Sequence, residues 1–512
     1  LNNPQNLENS FKFAREGGMI AQGALCITHS PVHTVDYYVD LAGKYIELGA
    51  EEICIKDMAG IGRPVSIGKI VEGIKANHPE VLVQYHGHST PGFSVASSLE
   101  AAKNGADIID VGMEPLSWGT GHADLLTIHA MLKDAGFSLP EVNTKAYMQV
   151  RSLSQEFIDD FLGYFINPRN RFMNSLLIGP GLPGGMMGSL MADLEKNLES
   201  VNKWLEKRDK PPISQEDLLL KLFEEVEYAW PRLGYPPLVT PYSQYVKNVS
   251  LMNAISLIKG KDRWRMIDEN TWSMILGRAG QLPGELGEEI VQLAEEQEKD
   301  FFKGNPQDLY PDQLDEFRTK MKEKDWPLGP DDEELMEYAM HPAQYEDFKS
   351  GQARERFLEE LEKKKEEGSG LVKTPPAPTT EKIQPSAPRQ MQIKVEGNTY
   401  RVEVSYGENG EGPSEGTDEK QSEGNRPTGK SGQNGSLHAI TAPLEGKFYL
   451  TKESSETAIQ VGDEVEEGET VAYIESMKVI NAITADKSGE VVEILARHGD
   501  EVEEDDPIIR LR

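Results

Sequence analysis

Four short β-rich runs recur through the first 138 residues: 24–28 (ALCIT), 52–56 (EICIK), 81–86 (VLVQYH) and 108–111 (IIDV). Amphipathic helical stretches at 35–48, 65–76 and 93–104 separate them. Strands this short, alternating with helices of ten to fifteen residues, build βα units and a parallel sheet. Four such units suit either half of an eight-stranded barrel or a small open sheet, and spacing leaves both open.

From about residue 139 the strand signal fades. Residues up to about 345 read mainly as helices (187–208, 214–229, 241–259, 285–297), punctuated by Pro and Gly at 179–185 and 236–237. The segment 346–368 is a charged helical pattern with Glu359/Lys363 and Glu360/Lys364 at i,i+4, a solvated face or a partner helix. A Pro- and Thr-rich linker follows at 369–390, then a β-hairpin at 391–404 (MQIKVEGNTYRVEV). Residues 405–436 contain almost no apolar side chain and read as a tether with an r.m.s. reach of roughly 30 Å.

Composition narrows the classes. Hydrophobic residues make up 38% of the chain, enough for a sizeable core. No apolar run is long enough to span a bilayer as a helix. With 53 Lys+Arg against 86 Asp+Glu the formal net charge is −33, which argues against a surface that wraps nucleic acid. Cys26 and Cys54 sit in apolar runs and read as buried free thiols. The opening residues, LNNPQNLENSFKF, lack a basic n-region, an apolar h-region and an initiator Met, so a missing beginning is expected.

The last segment, 437–512, is internally repeated. Val461-Gly462-Asp463-Glu464-Val465-Glu466-Glu467 returns as His498-Gly499-Asp500-Glu501-Val502-Glu503-Glu504, and each copy is followed by a short strand. Two similar all-β halves should pack as a two-fold flattened barrel. Between them lies Glu475-Ser476-Met477-Lys478-Val479, so Lys478 is expected on an exposed hairpin tip. A lysine presented this way behind a long tether suits a swinging carrier of a covalent cofactor; the plain alternative is a surface lysine.

Two further groups carry chemistry. In Tyr85-His86-Gly87-His88 the imidazoles at i and i+2 face one side of a strand end, which suits a Zn²⁺- or Mn²⁺-type ion. The alternative is a pair of hydrogen-bonded histidines. Lys56 ends the preceding strand, where an inward ammonium needs a carboxylate partner, a depressed pKa or conversion to an anionic carbamate. A salt bridge to Asp57 or its neighbours is the simplest of these by spacing.

Ser30-Pro31-Val32-His33-Thr34, Ile55-Lys56-Asp57-Met58-Ala59-Gly60, His86-Gly87-His88, Gly184-Gly185-Met186 and Pro237-Leu238-Val239-Thr240-Pro241 occur together with the Met477-Lys478 pair. In this order and spacing the chain resembles the biotin-dependent carboxyltransferases acting on pyruvate and oxaloacetate, namely the oxaloacetate decarboxylase α subunit and the B subunit of pyruvate carboxylase. The resemblance implies an α/β fold: a (β/α)8 TIM-type barrel, of which only the C-terminal half is present, a helical extension and an all-β biotinyl domain. It implies biotin on Lys478 after Met477, and a divalent metal (Zn²⁺, Mn²⁺ or Co²⁺) held by His86, His88 and carbamylated Lys56. Thr240 becomes the proton relay between biotin and the enol of pyruvate, although Thr-Pro before a helix is also a good N-cap pattern.

The function this implies is carboxyl transfer between oxaloacetate and pyruvate, as a decarboxylase α subunit or, in the carboxylating direction, as the B subunit of pyruvate carboxylase. Its partners would be a biotin carboxylase or membrane decarboxylase subunits, biotin protein ligase and further copies of the chain. The place would be the cytoplasm, or the inner membrane surface through partner subunits. Three departures from the family stand out. The family's first metal ligand, an Asp, and its early-strand Gln and Arg have no counterpart here. Val479 stands where Met is common, and Gly179-Pro180-Gly181-Leu182 replaces a polar pair. Half a barrel leaves two open sheet edges and an uncovered core, so the chain as given is expected to be inactive, and a non-catalytic biotinyl carrier is the alternative from another class.

Overall fold

The computed structural model describes residues 2–368, 390–395, 398–403, 438–443, 446–451, 458–476, 479–503 and 506–512. The chain divides into two compact units, Leu1–Val372 with Ala439–Leu511, and Lys373–His438 with Arg512. The smaller unit contains an antiparallel hairpin in which Gln390 pairs with Glu403 and Val395 with Asn398. Among the described residues no helix is long and apolar enough to cross a membrane.

The sheet strands of the N-terminal segment are β1 (Gln22–Cys26), β2 (Glu52–Asp57), β3 (Leu82–Gly87) and β4 (Ile108–Ile109). They lie side by side in chain order, all parallel. Helices α1 (Glu8–Glu16), α2 (Val35–Glu47), α3 (Pro64–Asn77), α4 (Ser94–Lys103) and α5 (Leu125–Asp134) alternate with them. Successive strand side chains point to opposite faces. Leu25, Ile53, Ile55, Val83 and Tyr85 occupy one phase and are buried with Tyr38, Tyr45, Ile67 and Ile74 from the helices. The other phase carries Cys26, Cys54, Lys56, Gln84 and His86. These are βα units of TIM-barrel type, and both cysteines are free thiols. The fourth strand is shorter than its apolar run: the Asp110 amide still donates to the Tyr85 carbonyl at 3.0 Å, and beyond it Gly112 bridges Asp124.

A helical layer follows: α6 (Thr144–Asp160), α7 (Met187–Glu206), α8 (Gln215–Arg232), α9 (Tyr242–Ile258), α10 (Glu269–Ile275) and α11 (Glu288–Glu296). Helix α9 buries residues all round its circumference, among them Val246, Val249, Leu251 and Asn253, so it is the centre of this layer rather than a surface helix. Leu218, Leu222 and Val226 of α8 form the stripe packed against it. Ser214 and Asp217 close a capping box at the start of α8.

Four short helices complete this end of the unit: α12 (Leu314–Glu323), α13 (Glu333–Met340), α14 (Pro342–Ser350) and α15 (Gln352–Glu366). The first three share a small core of Met321, Leu335, Tyr338 and Tyr345. The charged α15 is not simply solvated. Phe357 stacks on Phe165 with ring centroids 5.3 Å apart, and Leu361 is buried.

The C-terminal domain contains β7 (His438–Thr441), β8 (Gly446–Tyr449), β9 (Glu464–Val465), β10 (Thr470–Ser476), β11 (Val479–Thr484), β12 (Gly489–Ile494), β13 (Glu501–Val502) and β14 (Pro507–Leu511), after β5 (Gln390–Val395) and β6 (Asn398–Glu403) of the hairpin. Its two four-stranded sheets run β11-β10-β8-β13 and β7-β14-β12-β9. Exchanging the first four strands for the last four turns one order into the other, which is the two-fold relation announced by the repeat. Phe448, Ile474, Val491, Ile508 and Ile509 fill the space between the sheets.

Candidate metal centre

Parallel register brings the chemistry together. Cys26 pairs with Lys56, and Lys56 with His86, so three strands present these side chains in a row on the face away from the helices. His88 lies just beyond β3. A bridge between His88 and His122 folds the segment after β4 back onto this end of the sheet. Ring centroids are 5.3 Å apart for His86–His88, 4.4 Å for His86–His122 and 4.6 Å for His88–His122. One ring nitrogen from each lies within 4.8 Å of the others.

One nitrogen of each ring, Nδ1, is already engaged. Nδ1 of His86 meets Asp110 Oδ2 at 2.6 Å, Nδ1 of His88 meets the Thr120 carbonyl at 2.5 Å, and Nδ1 of His122 meets the Gly87 carbonyl at 2.9 Å. Carbonyl oxygen only accepts, so Nδ1 of His88 and His122 carries the hydrogen, and Nε2 keeps the lone pair. A carboxylate holds His86 in the same tautomer. Imidazoles whose Nδ1–H is tied to a carbonyl or carboxylate are oriented as metal ligands are. Burial pushes His88 down to about 4 and also lowers His86, the latter against the pull of Asp110. Neutral rings are what a metal requires. The donor set therefore fits a divalent transition ion.

Asp110 also accepts both hydrogen bonds of the Gln84 amide, at 2.9 and 2.8 Å. Neither Asp110 nor His122 was singled out from sequence. Strand phase could have found Asp110: Gln84 pairs with Ile108, so two residues further on Asp110 stands beside His86. Nothing local marks His122, which arrives by a long-range bridge.

The simplest reading of Lys56, a salt bridge to Asp57, is not realised. Asp57 points to the buried face and accepts from the amides of Ile61 (2.9 Å) and Gly62 (2.8 Å). Burial raises its carboxyl to about 6. It is a loop-shaping residue, and Lys56 is left on the histidine face. The same loop requires Gly60: its φ is +67°, and a Cβ there would lie 2.4 Å from the His88 carbonyl oxygen.

The helical layer reaches the same end of the sheet. The Leu238 amide donates to Thr28 Oγ1 at 3.0 Å, tying the segment that ends in Thr240 to the end of β1. Thr240 itself is exposed, and α9 is capped at Pro241 with no side-chain hydrogen bond. The capping alternative for Thr240 is thereby corrected: Pro241 occupies the cap position and leaves the hydroxyl uncommitted. Gly184 packs where a Cβ would meet the Thr90 side chain at 2.0 Å, so the Gly-Gly-Met segment lies against the loop after His88. Ser30 and His33 serve local structure: Ser30 Oγ accepts from the amides of Val32 and His33 and bonds the His33 ring at 2.8 Å. Met477 and Lys478 lie outside the described residues. The strands flanking them in sequence pair as far as Ser476 with Val479.

Three family models match in succession: HMGL-like over residues 5–153, a conserved carboxylase domain over 180–404, and a biotin-requiring enzyme domain over 438–511. The chain is 27% identical over 489 residues to the B subunit of pyruvate carboxylase from Methanocaldococcus jannaschii, covering 94% of this chain and 74% of that one. It is also 27% identical to the 2-oxoglutarate carboxylase large subunit of Hydrogenobacter thermophilus, over 100% of this chain and 77% of that one. The carboxyl transferase domain of Rhizobium etli pyruvate carboxylase, solved with oxamate and biotin, has the same fold, with a TM-score of 0.55 at 24% identity. That match covers 69% of this chain, which spans 57% of the solved one. The C-terminal barrel is a biotinyl domain, and along its length the chain is similar to biotin-dependent carboxylases and carboxyltransferases.

Proposed function

We propose that the intact protein moves a carboxyl group between biotin on Lys478 and a small keto acid of the pyruvate/oxaloacetate type. The observation that carries the reading is the cluster of tautomer-locked imidazoles at the C-terminal end of a parallel sheet, with Lys56 in register beside it. A bound divalent ion would polarise the keto-acid carbonyl and stabilise negative charge on its oxygen. His86 and His88 would hold it. Lys56, with no carboxylate from Asp57, would join them as a carbamate, formed when its neutral amine adds to CO₂ and releases a proton. Asp110 keeps His86 aimed.

Thr240 is the proton carrier of this reading. As a carboxyl group passes from the keto acid to a biotin ring nitrogen, the hydroxyl accepts the proton of that nitrogen and donates its own to the methylene carbon. In the opposite direction both transfers reverse. The relatives, a B subunit of pyruvate carboxylase and a 2-oxoglutarate carboxylase, favour the carboxylating direction with a separate biotin carboxylase partner. The hairpin and the long segment after it favour the oxaloacetate decarboxylase α subunit, with membrane decarboxylase subunits as partners. A cytoplasmic place suits both.

The test is exchange of labelled pyruvate into oxaloacetate by the biotinylated protein. Thr240→Ala should slow it about 10²–10⁴-fold while leaving an avidin blot unchanged. Lys478→Arg should abolish both signals. Exchange that survives both substitutions refutes the reading. Biotinylation without exchange supports a carrier role instead, which the open edges of β1 and β4 among the described residues favour.

A further inference from the structure

The histidine motif accounts for two imidazoles, but the fold supplies a third. We propose that His122 is a direct metal ligand, completing a three-imidazole face with His86 and His88; the inference rests on the metal-dependent reading above.

Geometry carries it. Three atoms no more than 4.8 Å apart always have a point within about 2.8 Å of all of them. A Zn–N bond is about 2.0–2.1 Å, so each ring must move in by less than about 1 Å to ligate one ion. The ring of His122 is held for this by the Gly87 carbonyl, which lies in β3 between His86 and His88. One backbone strand thus supplies two ligands and orients the third. His122 is half-buried, as are His86 and His88, and all three bond outward through Nδ1. With Nδ1–H of each ring committed to an oxygen, the Nε2 lone pairs of all three are left for a cation. A hydrogen-bonded structural histidine would instead present its second nitrogen to a donor of its own.

The chemical consequence would be three imidazole nitrogens on one side of a bound ion. Lys56, in register with His86, faces that set, and the remaining positions are free for a bidentate keto acid. An N₃ face also holds the ion without help from the lysine, so occupancy becomes less dependent on carbamylation.

The experiment uses the full-length protein loaded with Co²⁺, comparing wild type with His86→Gln, His122→Gln and His122→Cys. Affinity is read by competition with a chromophoric chelator, and ligand number by imidazole scattering in X-ray absorption. His122→Gln should weaken binding by at least tenfold and reduce the imidazole count from three to two. His122→Cys should retain Co²⁺ and add a thiolate-to-cobalt charge-transfer band in the near ultraviolet, a signal that a misfolded or merely structural residue would not give. Wild-type affinity and imidazole count in His122→Gln, with loss in His86→Gln, would overturn the proposal and leave the metal reading standing. Wild-type binding in both variants would remove the metal reading, and this proposal with it.

Discussion

Asp110 is the residue on which the aim of the site depends. It binds Nδ1 of His86 and receives the Gln84 amide, and Gln84 Oε1 in turn accepts from Gln22 across the sheet at 2.8 Å. Removing an orienting group of this kind costs about 10–100-fold in metal affinity. Asp110→Ala should show that loss in the chelator competition with little change in thermal midpoint, because its side chain is only partly buried. Gly60 makes the opposite prediction. A side chain at its positive φ, against the His88 carbonyl, strains the backbone by about 1–3 kcal/mol and pushes on a ligand at the same time. Gly60→Ala should therefore lower both denaturant stability and metal affinity. At this scale the sequence was informative where a residue acts through its neighbours in the chain. The His86/His88 pair follows from strand alternation alone. Asp110 required the register of a second strand, and His122 required a tertiary bridge, so neither had a local signature.

Elements were legible in proportion to how far their pattern is set by burial on one side. Strands β1–β3 are half-buried, with apolar and polar residues in alternate phase, and the runs in the sequence overlie them. β4 is two residues long, and past Asp110 its backbone bridges Asp124 from Gly112. An apolar run cannot report such a departure. The charged helix α15 was ambiguous for the same reason: a few contacts, Phe357 on Phe161 and Phe165 together with buried Leu361, decide the docking of a helix that is otherwise polar. Helix α8 gives a quantitative test of one-sided burial. Leu222 is fully buried, whereas Leu220, two residues away, is 63% exposed. Leu222→Ala should cost about 2–5 kcal/mol, transfer and cavity terms together. Leu220→Ala should stay within about 0.5 kcal/mol. Urea unfolding followed by helical circular dichroism separates the two. Equal losses would mean that the outer face of α8 is covered in the native protein.

For the whole molecule, the decisive property is that the histidine cluster and the biotinyl domain are built from different parts of the chain with different cores. The imidazoles depend on the parallel sheet and its helices, and the carrier on two sheets closed around Phe448, Ile474 and Ile508. Damage to one should leave the other intact. His86→Gln should remain biotinylated but fail to exchange label between pyruvate and oxaloacetate, and Lys478→Arg should bind metal but carry no biotin. Mixed together, each inactive protein supplies what its companion lacks. Within one chain a linked carrier acts at an effective concentration in the millimolar range. At about 10 µM of each variant the mixture should regain exchange at roughly a hundredth of the wild-type rate, rising in proportion to the concentration of the biotinylated variant. That proportionality separates a carrier visiting another copy's site from residual activity of either variant, which would not depend on its companion. A mixture inactive at every ratio, with both domains folded by circular dichroism, would mean that the biotinyl domain serves only the site of its own chain.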